Sequence, residues 1–178
     1  MKRLLFTLAT CCVMCACEQK TEMNPFFTEF QTEYGAPDFT KIRLEHYEPA
    51  FLKGIEEQNA EIKAIVDNPE EPTFENTIVA LDKSGGILAR VSGVFFALTE
   101  ADTNDSLTAL NEKMAPVLSE HSDNIYLNQD LYKRVADVHQ QEREGKITLT
   151  TEQHRLLDKY YNCLLYTSPS PRDKRQSR

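Results

Sequence analysis

The chain has 178 residues, of which 40% are hydrophobic and 27% charged, and its 28 acidic residues outnumber 20 basic ones to give a net charge of −8. This balance suits one globular domain of ordinary size, and it excludes collagen, low-complexity disorder and a multi-pass membrane protein. The negative charge argues against nucleic-acid binding, because contacts to phosphates need a basic face.

The first 17 residues have the pattern of an export signal. Lys2 and Arg3 precede an apolar stretch from Leu4 to Ala16, which is far shorter than the roughly 20 residues of a membrane-spanning helix. Cys17 stands where this stretch meets polar residues and resembles the acylated Cys of a bacterial lipoprotein signal. The resemblance implies export and a lipid anchor at Cys17, on the periplasmic face or the outer membrane. The alternative is an ordinary signal peptide that is simply cleaved.

The positions of the other cysteines do not fit a fold held together by disulfide bonds. Cys11, Cys12 and Cys15 share the leader with Cys17, and no cysteine occurs between residues 18 and 162. A fold that depends on disulfides is therefore excluded.

The last 16 residues, Cys163 to Arg178, differ from the rest of the chain. They hold four basic residues, Ser-Pro pairs and a single acid, Asp173. A disordered basic tail is one interpretation. The string also closely resembles a translated sequencing-adapter read-through, and we therefore expect 163–178 to be an artefact and the natural chain to be truncated here.

Apolar residues recur at helical spacing after a linker that covers residues 18–38. The first predicted helix has Pro49 in its first turn and stops at Asn68-Pro69. Four more helices are predicted. Thr73 or Asn76, then Asn104 or Asp105, and then Thr150 are the candidate caps of three of them. The other is predicted to run from about Asn128 to Glu144. Ser84-Gly85-Gly86 interrupts the second helix, where it kinks the helix or lets a neighbour approach, and Pro116 weakens the third.

These helices predict an all-α fold for residues 39–162, built as an antiparallel helical array. The spacing of apolar residues predicts which of them face inward. They are Phe51, Ile55, Ile62, Ile65, Val66, Ile78, Leu81, Leu88, Val91, Phe95, Leu98, Leu107, Leu110, Met114, Leu118, Ile125, Leu131, Val135, Val138, Leu156, Leu157, Tyr160 and Tyr161.

No residue pattern predicts an active site within the chain. The four histidines do not form the His-Glu-x-x-His motif of a zinc peptidase, and each of His46, His121, His139 and His154 is expected at the surface or at a helix boundary. The segment Asp102–Ser106 lacks the Gly and the Glu of a calcium loop, which favours a helix cap. The sequence therefore supplies no catalytic and no metal-binding residue.

Six short sequence segments, taken together in this order, resemble the N-terminal region of bacterial peptidyl-dipeptidases of the thimet oligopeptidase family, and the Bacteroidetes-type enzymes most of all. The segments are Asn24–Phe27, Tyr34–Phe39, Ile42–Phe51, Asn68–Leu81, Val94–Asn104 and Ser119–Asn128. The resemblance implies the N-terminal part of a larger helical oligopeptidase fold, in a zinc metallopeptidase that cuts short peptides and typically releases dipeptides.

In that family the zinc ligands and the catalytic Glu lie on a His-Glu-x-x-His helix downstream of the matching region. The resemblance therefore implies that a C-terminal catalytic domain is missing from this chain. We expect this fragment to bind no zinc and to be inactive alone, because nothing in it would activate water.

Two other readings of the same residues remain. The chain is alternatively a complete small helical lipoprotein, which binds peptides or a protein partner without catalysis. A structural coiled coil is disfavoured, because the heptad-like stripe of apolar residues is broken at residues 84–86.

Overall fold

The computed structural model describes residues 23–167, which form helices and connecting loops without a strand. The helices are α1 (Leu44–Val66), α2 (Ala80–Lys83), α3 (Gly86–Ala101), α4 (Asp105–Tyr126), α5 (Gln129–Arg143) and α6 (Thr151–Thr167). A π-helical turn, Phe74–Val79, leads into α2, and two 3-10 turns, Pro25–Phe27 and Glu33–Gly35, precede α1. The prediction of an all-α fold is confirmed. The leader with Cys17, and the tail from residue 168 onward, lie outside the described residues.

The predicted helix caps are confirmed, because each side chain accepts a hydrogen bond from a backbone N–H in the first turn. Thr73 forms a capping box with Asn76, whose N–H lies 3.1 Å from Thr73 Oγ1 while Thr73 N–H donates to Asn76 Oδ1 over 2.8 Å. Asn104 accepts from Leu107 N, so the segment 102–106 is a cap as expected. Thr150 forms the remaining predicted cap with Gln153, and Asn128, the predicted start of the fourth helix, accepts from Asp130 N and Leu131 N.

Helix α1 begins five residues before Pro49, so the prediction that this proline lies in the first turn was wrong. The N–H of Arg43 donates to Nδ1 of His46 over 3.1 Å, and the His46 side chain thereby caps the helix, which begins at Leu44. Pro49 lies within the helix and removes only the hydrogen bond that its missing N–H would make to the Glu45 carbonyl. Helix α4 likewise continues through Pro116.

The Ser84-Gly85 break interrupts the helix and also lets the neighbouring helix α1 approach, which are the two roles that the sequence predicts. Gly85 adopts a left-handed φ of 77°, which ends α2 and redirects the chain into α3. Its N–H donates to Oε2 of Glu61 on α1 over 2.7 Å. About two turns before Glu61 on α1, Gly54 packs so closely on α3 that an added Cβ would lie 2.7 Å from the backbone nitrogen of Leu88.

The contacts between helices show their directions. Along α1, Tyr47 meets Phe95 and Gln58 meets Ser84, so α1 and the chain from α2 to α3 run antiparallel. Helices α5 and α6 also run antiparallel. Helices α1 and α4 run parallel, since Glu48 pairs with Lys113 while Gln58 pairs with His121.

Buried side chains form two separate hydrophobic clusters, and α1 contributes to both. The first cluster contains Ile62, Ile65, Phe74, Ile78, Leu81, Leu131, Val135, Val138, Leu157 and Leu164. The second contains Phe26, Tyr47, Ala50, Phe51, Val91, Val94, Phe95, Leu107 and Met114. The fold therefore consists of an α5–α6 lobe and an α3–α4 lobe, which α1 connects.

Helix α6 continues past residue 162 to Thr167, and Leu164 is buried in the first cluster. The boundary at Cys163 is therefore not a structural boundary, whereas the origin of the segment from 163 stays a prediction. Between residues 23 and 167, no helix has both the length and the apolar character that crossing a bilayer requires.

Candidate functional site

A cleft of about 350 Å³ lies between the two lobes, where the two hydrophobic clusters do not meet. Its apolar walls include Leu81, Leu131 and Leu164 of the first cluster, and Leu88 and Leu118, which pack on the second. The polar side chains that line it are Gln58, Asp82, Ser84, Ser92, His121, Ser122, Tyr126 and Tyr160. Its volume lies in the range typical of protein binding sites.

A chain of hydrogen bonds crosses one side of the cleft, and its direction follows from its first acceptor. The Leu81 carbonyl can only accept, so the Ser84 hydroxyl donates to it over 2.8 Å. The Gln58 amide nitrogen then donates to Ser84 Oγ over 3.2 Å. The amide oxygen of Gln58 is left to accept from Nε2 of His121, 2.7 Å away.

The acceptor role of the Gln58 oxygen places a proton on Nε2 of His121. The residue is only 6% exposed, and Nδ1 has no hydrogen-bond partner among the described residues. Burial lowers the pKa of His121, because the charged form loses its hydration. Burial therefore favours the neutral imidazole, whose Nδ1 is an acceptor.

The expected position of His121 at the surface was wrong. The residue occupies the middle of α4, seven residues after the buried Met114 and three after Leu118. The helical spacing of these two residues with Ile125 already placed position 121 on the inward face. That spacing is the signal in the sequence that locates this residue.

Asp82 and Tyr160 form the other polar edge of the cleft. The Tyr160 hydroxyl donates to Oδ1 of Asp82 over 2.8 Å and joins α6 to α2. Burial and, second to it, this hydrogen bond raise the pKa of Tyr160 well above its usual value. The phenol stays protonated, and the carboxylate retains acceptor capacity toward the cleft.

A second group of histidines and carboxylates joins α5 to α6 outside the cleft. His154 Nδ1 lies 2.9 Å from Oε1 of Glu142, and its Nε2 lies 3.3 Å from Oδ2 of Asp158. His139 lies 3.5 Å from Asp158 and stacks on Tyr161 with 4.0 Å between ring centroids. These contacts connect the two helices, and among residues 23–167 no three His, Cys, Asp or Glu side chains are placed to hold a metal ion.

His46 and His154 lie at the first turns of α1 and α6, as predicted; His154 is exposed and His46 is half-buried. The single cysteine of the described region, Cys163, is exposed with a free thiol. Of the histidines that the sequence offered as candidates, only His121 lines the cleft.

Comparison with known proteins relates the chain to two kinds of peptidase, although no family model matches it. It is 46% identical over 138 residues to dipeptidyl carboxypeptidase of Escherichia coli, and 44% identical over 135 residues to that of Salmonella typhimurium. It is 28% identical over 137 residues to oligopeptidase A of Escherichia coli. These matches cover 76–78% of this chain but only 19–20% of each relative. The chain thus spans about a fifth of the length of the curated relatives that it matches.

Proposed function

Because this chain is related over about 77% of its length to peptidases of the thimet oligopeptidase family, we propose that it forms the N-terminal, non-catalytic part of a zinc metallopeptidase that hydrolyses short peptides. The observation that carries the proposal is the 46% identity to a dipeptidyl carboxypeptidase over 138 residues. Identity to oligopeptidase A is lower, at 28%. Release of dipeptides therefore belongs to the proposal, because the relative with the higher identity is named for it.

The structural role that we propose for these helices is a wall that shapes the peptide-binding channel of the whole enzyme. Zinc belongs to the proposal for that enzyme and not to residues 23–167, whose side chains offer no fitting ligand group. We therefore assign the metal and the catalytic residues to the catalytic domain, and the substrates of the whole enzyme are short peptides.

A chimera tests the proposal directly. The 138 residues of the Escherichia coli dipeptidyl carboxypeptidase that match this chain are exchanged for the corresponding residues of this chain. We expect the chimera to release dipeptides from a short peptide and to lose that activity with a chelator. The matched control carries Phe51→Asp, which puts a charge into the second cluster and should abolish activity by unfolding this part.

The chain alone is expected to be inactive. Purified protein should leave a quenched short peptide uncut at concentrations where the chimera cuts it within minutes. Chelator-sensitive hydrolysis by the chain alone would refute the assignment of a non-catalytic role. An inactive chimera, together with a sharp and concentration-independent melt of the monomeric chain, would instead favour the small binding lipoprotein.

For localisation, we propose export and a lipid anchor on Cys17 in the cell envelope. The support is the sequence of the leader, in which Cys17 ends the apolar stretch. Metabolic labelling with an alkyne fatty acid should mark the parent protein and the Cys15→Ser variant but not Cys17→Ser. A label that persists in Cys17→Ser, or no label in any of the three, contradicts the anchor.

A further inference from the structure

The cleft between the lobes is lined by apolar side chains from both clusters, of which Leu81, Leu131 and Leu164 are buried while Leu88 and Leu118 are half-buried. Leu88 and Leu118 face it from α3 and α4, Leu164 faces it from α6, and Phe96 extends the apolar surface outward with 39% of its area exposed. Protein interiors are close-packed, and side chains beside an unfilled space lose dispersion contacts. A surface of this kind, with apolar walls and a polar edge, is typical of an interaction site.

We propose that this cleft is the docking site for an apolar segment from the remainder of the peptidase chain, in which a Lys or Arg side chain faces Asp82. The inference rests on the proposed function. It adds to that function the surface that the segment covers, which is the cleft between the lobes, and the chemistry of the segment.

The length of the relatives identifies the occupant. This chain spans about 20% of the dipeptidyl carboxypeptidase of Escherichia coli, so four fifths of such an enzyme lie outside the matched region and can supply the segment. The cleft lies between the two lobes, so a segment seated there contacts both. It would bury Phe96 and fill the space between Leu88 and Leu118.

Charge specifies the polar part of the occupant. Asp82 is the one carboxylate among the described residues that line the cleft, and it faces no basic side chain there. The Tyr160 hydroxyl donates to Oδ1 of Asp82, and the carboxylate keeps further acceptor sites for a guanidinium or ammonium group. Burial favours the neutral form of His121, so this residue adds no positive charge to the cleft.

The test compares substitutions of two serines of α4 in the chimera described above. Ser122 of α4 lines the cleft and is half-buried, whereas Ser119 on the same helix is exposed and does not line it. Ser122→Trp fills the space that the segment should occupy, and Ser119→Trp is the matched control. We expect Ser122→Trp to lower the activity of the chimera at least tenfold and to lower its melting temperature, while Ser119→Trp leaves both unchanged.

Two further measurements separate docking from misfolding. The isolated chain with Ser122→Trp should melt at or above the temperature of the parent chain, because the indole enters an open space. Asp82→Lys should weaken the chimera in the same direction, and so should Asp82→Asn, which removes the charge but keeps an acceptor for the Tyr160 hydroxyl; the exposed Asp137→Lys on α5 is the control. Amide exchange of residues 118–126 should be at least tenfold slower in the chimera than in the isolated chain.

The outcomes distinguish this inference from the proposed function. An inactive parent chimera counts against the proposed function, and slow exchange at 118–126 in that same chimera still supports docking. An active chimera that tolerates Ser122→Trp and Asp82→Lys, or unchanged exchange at 118–126, overturns the docking site. A discrete dimer of the isolated chain that Ser122→Trp disperses overturns it too, because the occupant is then a second copy.

Discussion

Nε2 of His121 on α4 lies 2.7 Å from Oε1 of Gln58 on α1, and this hydrogen bond joins two helices that run parallel. The same Gln58 side chain donates to Ser84 at the break before α3. One half-buried amide therefore connects three elements at the boundary of the two hydrophobic clusters.

The first prediction concerns pH. Burial lowers the pKa of His121 in the folded state, while the unfolded chain protonates near the ordinary value of about 6.5. As the pH falls, the unfolded state takes up the proton first, so stability is full above about 6.5 and is lost as the pH falls through the folded pKa. Urea midpoints measured between pH 7.5 and 5.5 should decrease.

His121→Gln should flatten that decrease, because an amide N–H still donates to Gln58 and does not titrate in this range. His154→Gln, which removes an exposed imidazole outside the cleft, is the matched control. If the pH profile of His121→Gln matches that of the parent protein, burial of His121 is not the cause of the dependence.

Gly54 and Gly93 are predicted to respond oppositely to alanine. A Cβ at Gly54 would lie 2.7 Å from the backbone nitrogen of Leu88, so the helices must separate, and we expect a loss of about 1–3 kcal/mol in the free energy of unfolding. A Cβ at Gly93 meets nothing within 4 Å, so Gly93→Ala should raise the free energy of unfolding by about 0.5–1 kcal/mol. Chemical denaturation of both variants measures the difference. Equal effects would show that α1 and α3 do not approach each other this closely.

The capping box at Thr73 should contribute measurably to stability. Thr73→Ala removes the acceptor for Asn76 N and is expected to cost about 1 kcal/mol in the free energy of unfolding. Thr108→Ala, at an exposed position inside α4, should instead be neutral or slightly stabilising, because alanine has the higher helix propensity. A Thr73→Ala variant as stable as the parent protein would contradict the cap.

Phe95 is expected to dominate the second cluster. Its ring is fully buried and lies 5.3 Å, between centroids, from the rings of both Tyr47 and Phe51. Phe95→Ala leaves a cavity and should cost about 3–5 kcal/mol. Phe39→Ala, at a ring that is 56% exposed, should change stability by less than about 0.5 kcal/mol. Thermal melts of the two variants should therefore differ by many degrees.

Helix existence and most helix starts could be predicted from the sequence, because their causes are local. Thr73, Asn104, Asn128 and Thr150 bond to N–H groups two or three residues ahead, which places the whole interaction within one turn of chain. The start of α1 was misplaced because the proline signal outweighed the capping histidine at residue 46. Leu131, Val135 and Val138 were correctly expected to be buried, since their spacing follows a single face of α5.

The sequence by itself determined the all-α class, the caps, the inward faces and the relationship to a peptidase family, because each depends on residue order or on interactions within a turn. Only the tertiary structure decided that the apolar residues divide into two clusters, that α1 and α4 run parallel, and that a cleft remains between the lobes. It also decided that His121 pairs with Gln58, which lies 63 residues away in the chain. Contacts between residues so distant in sequence leave no local pattern, and they exist only once the helices have packed.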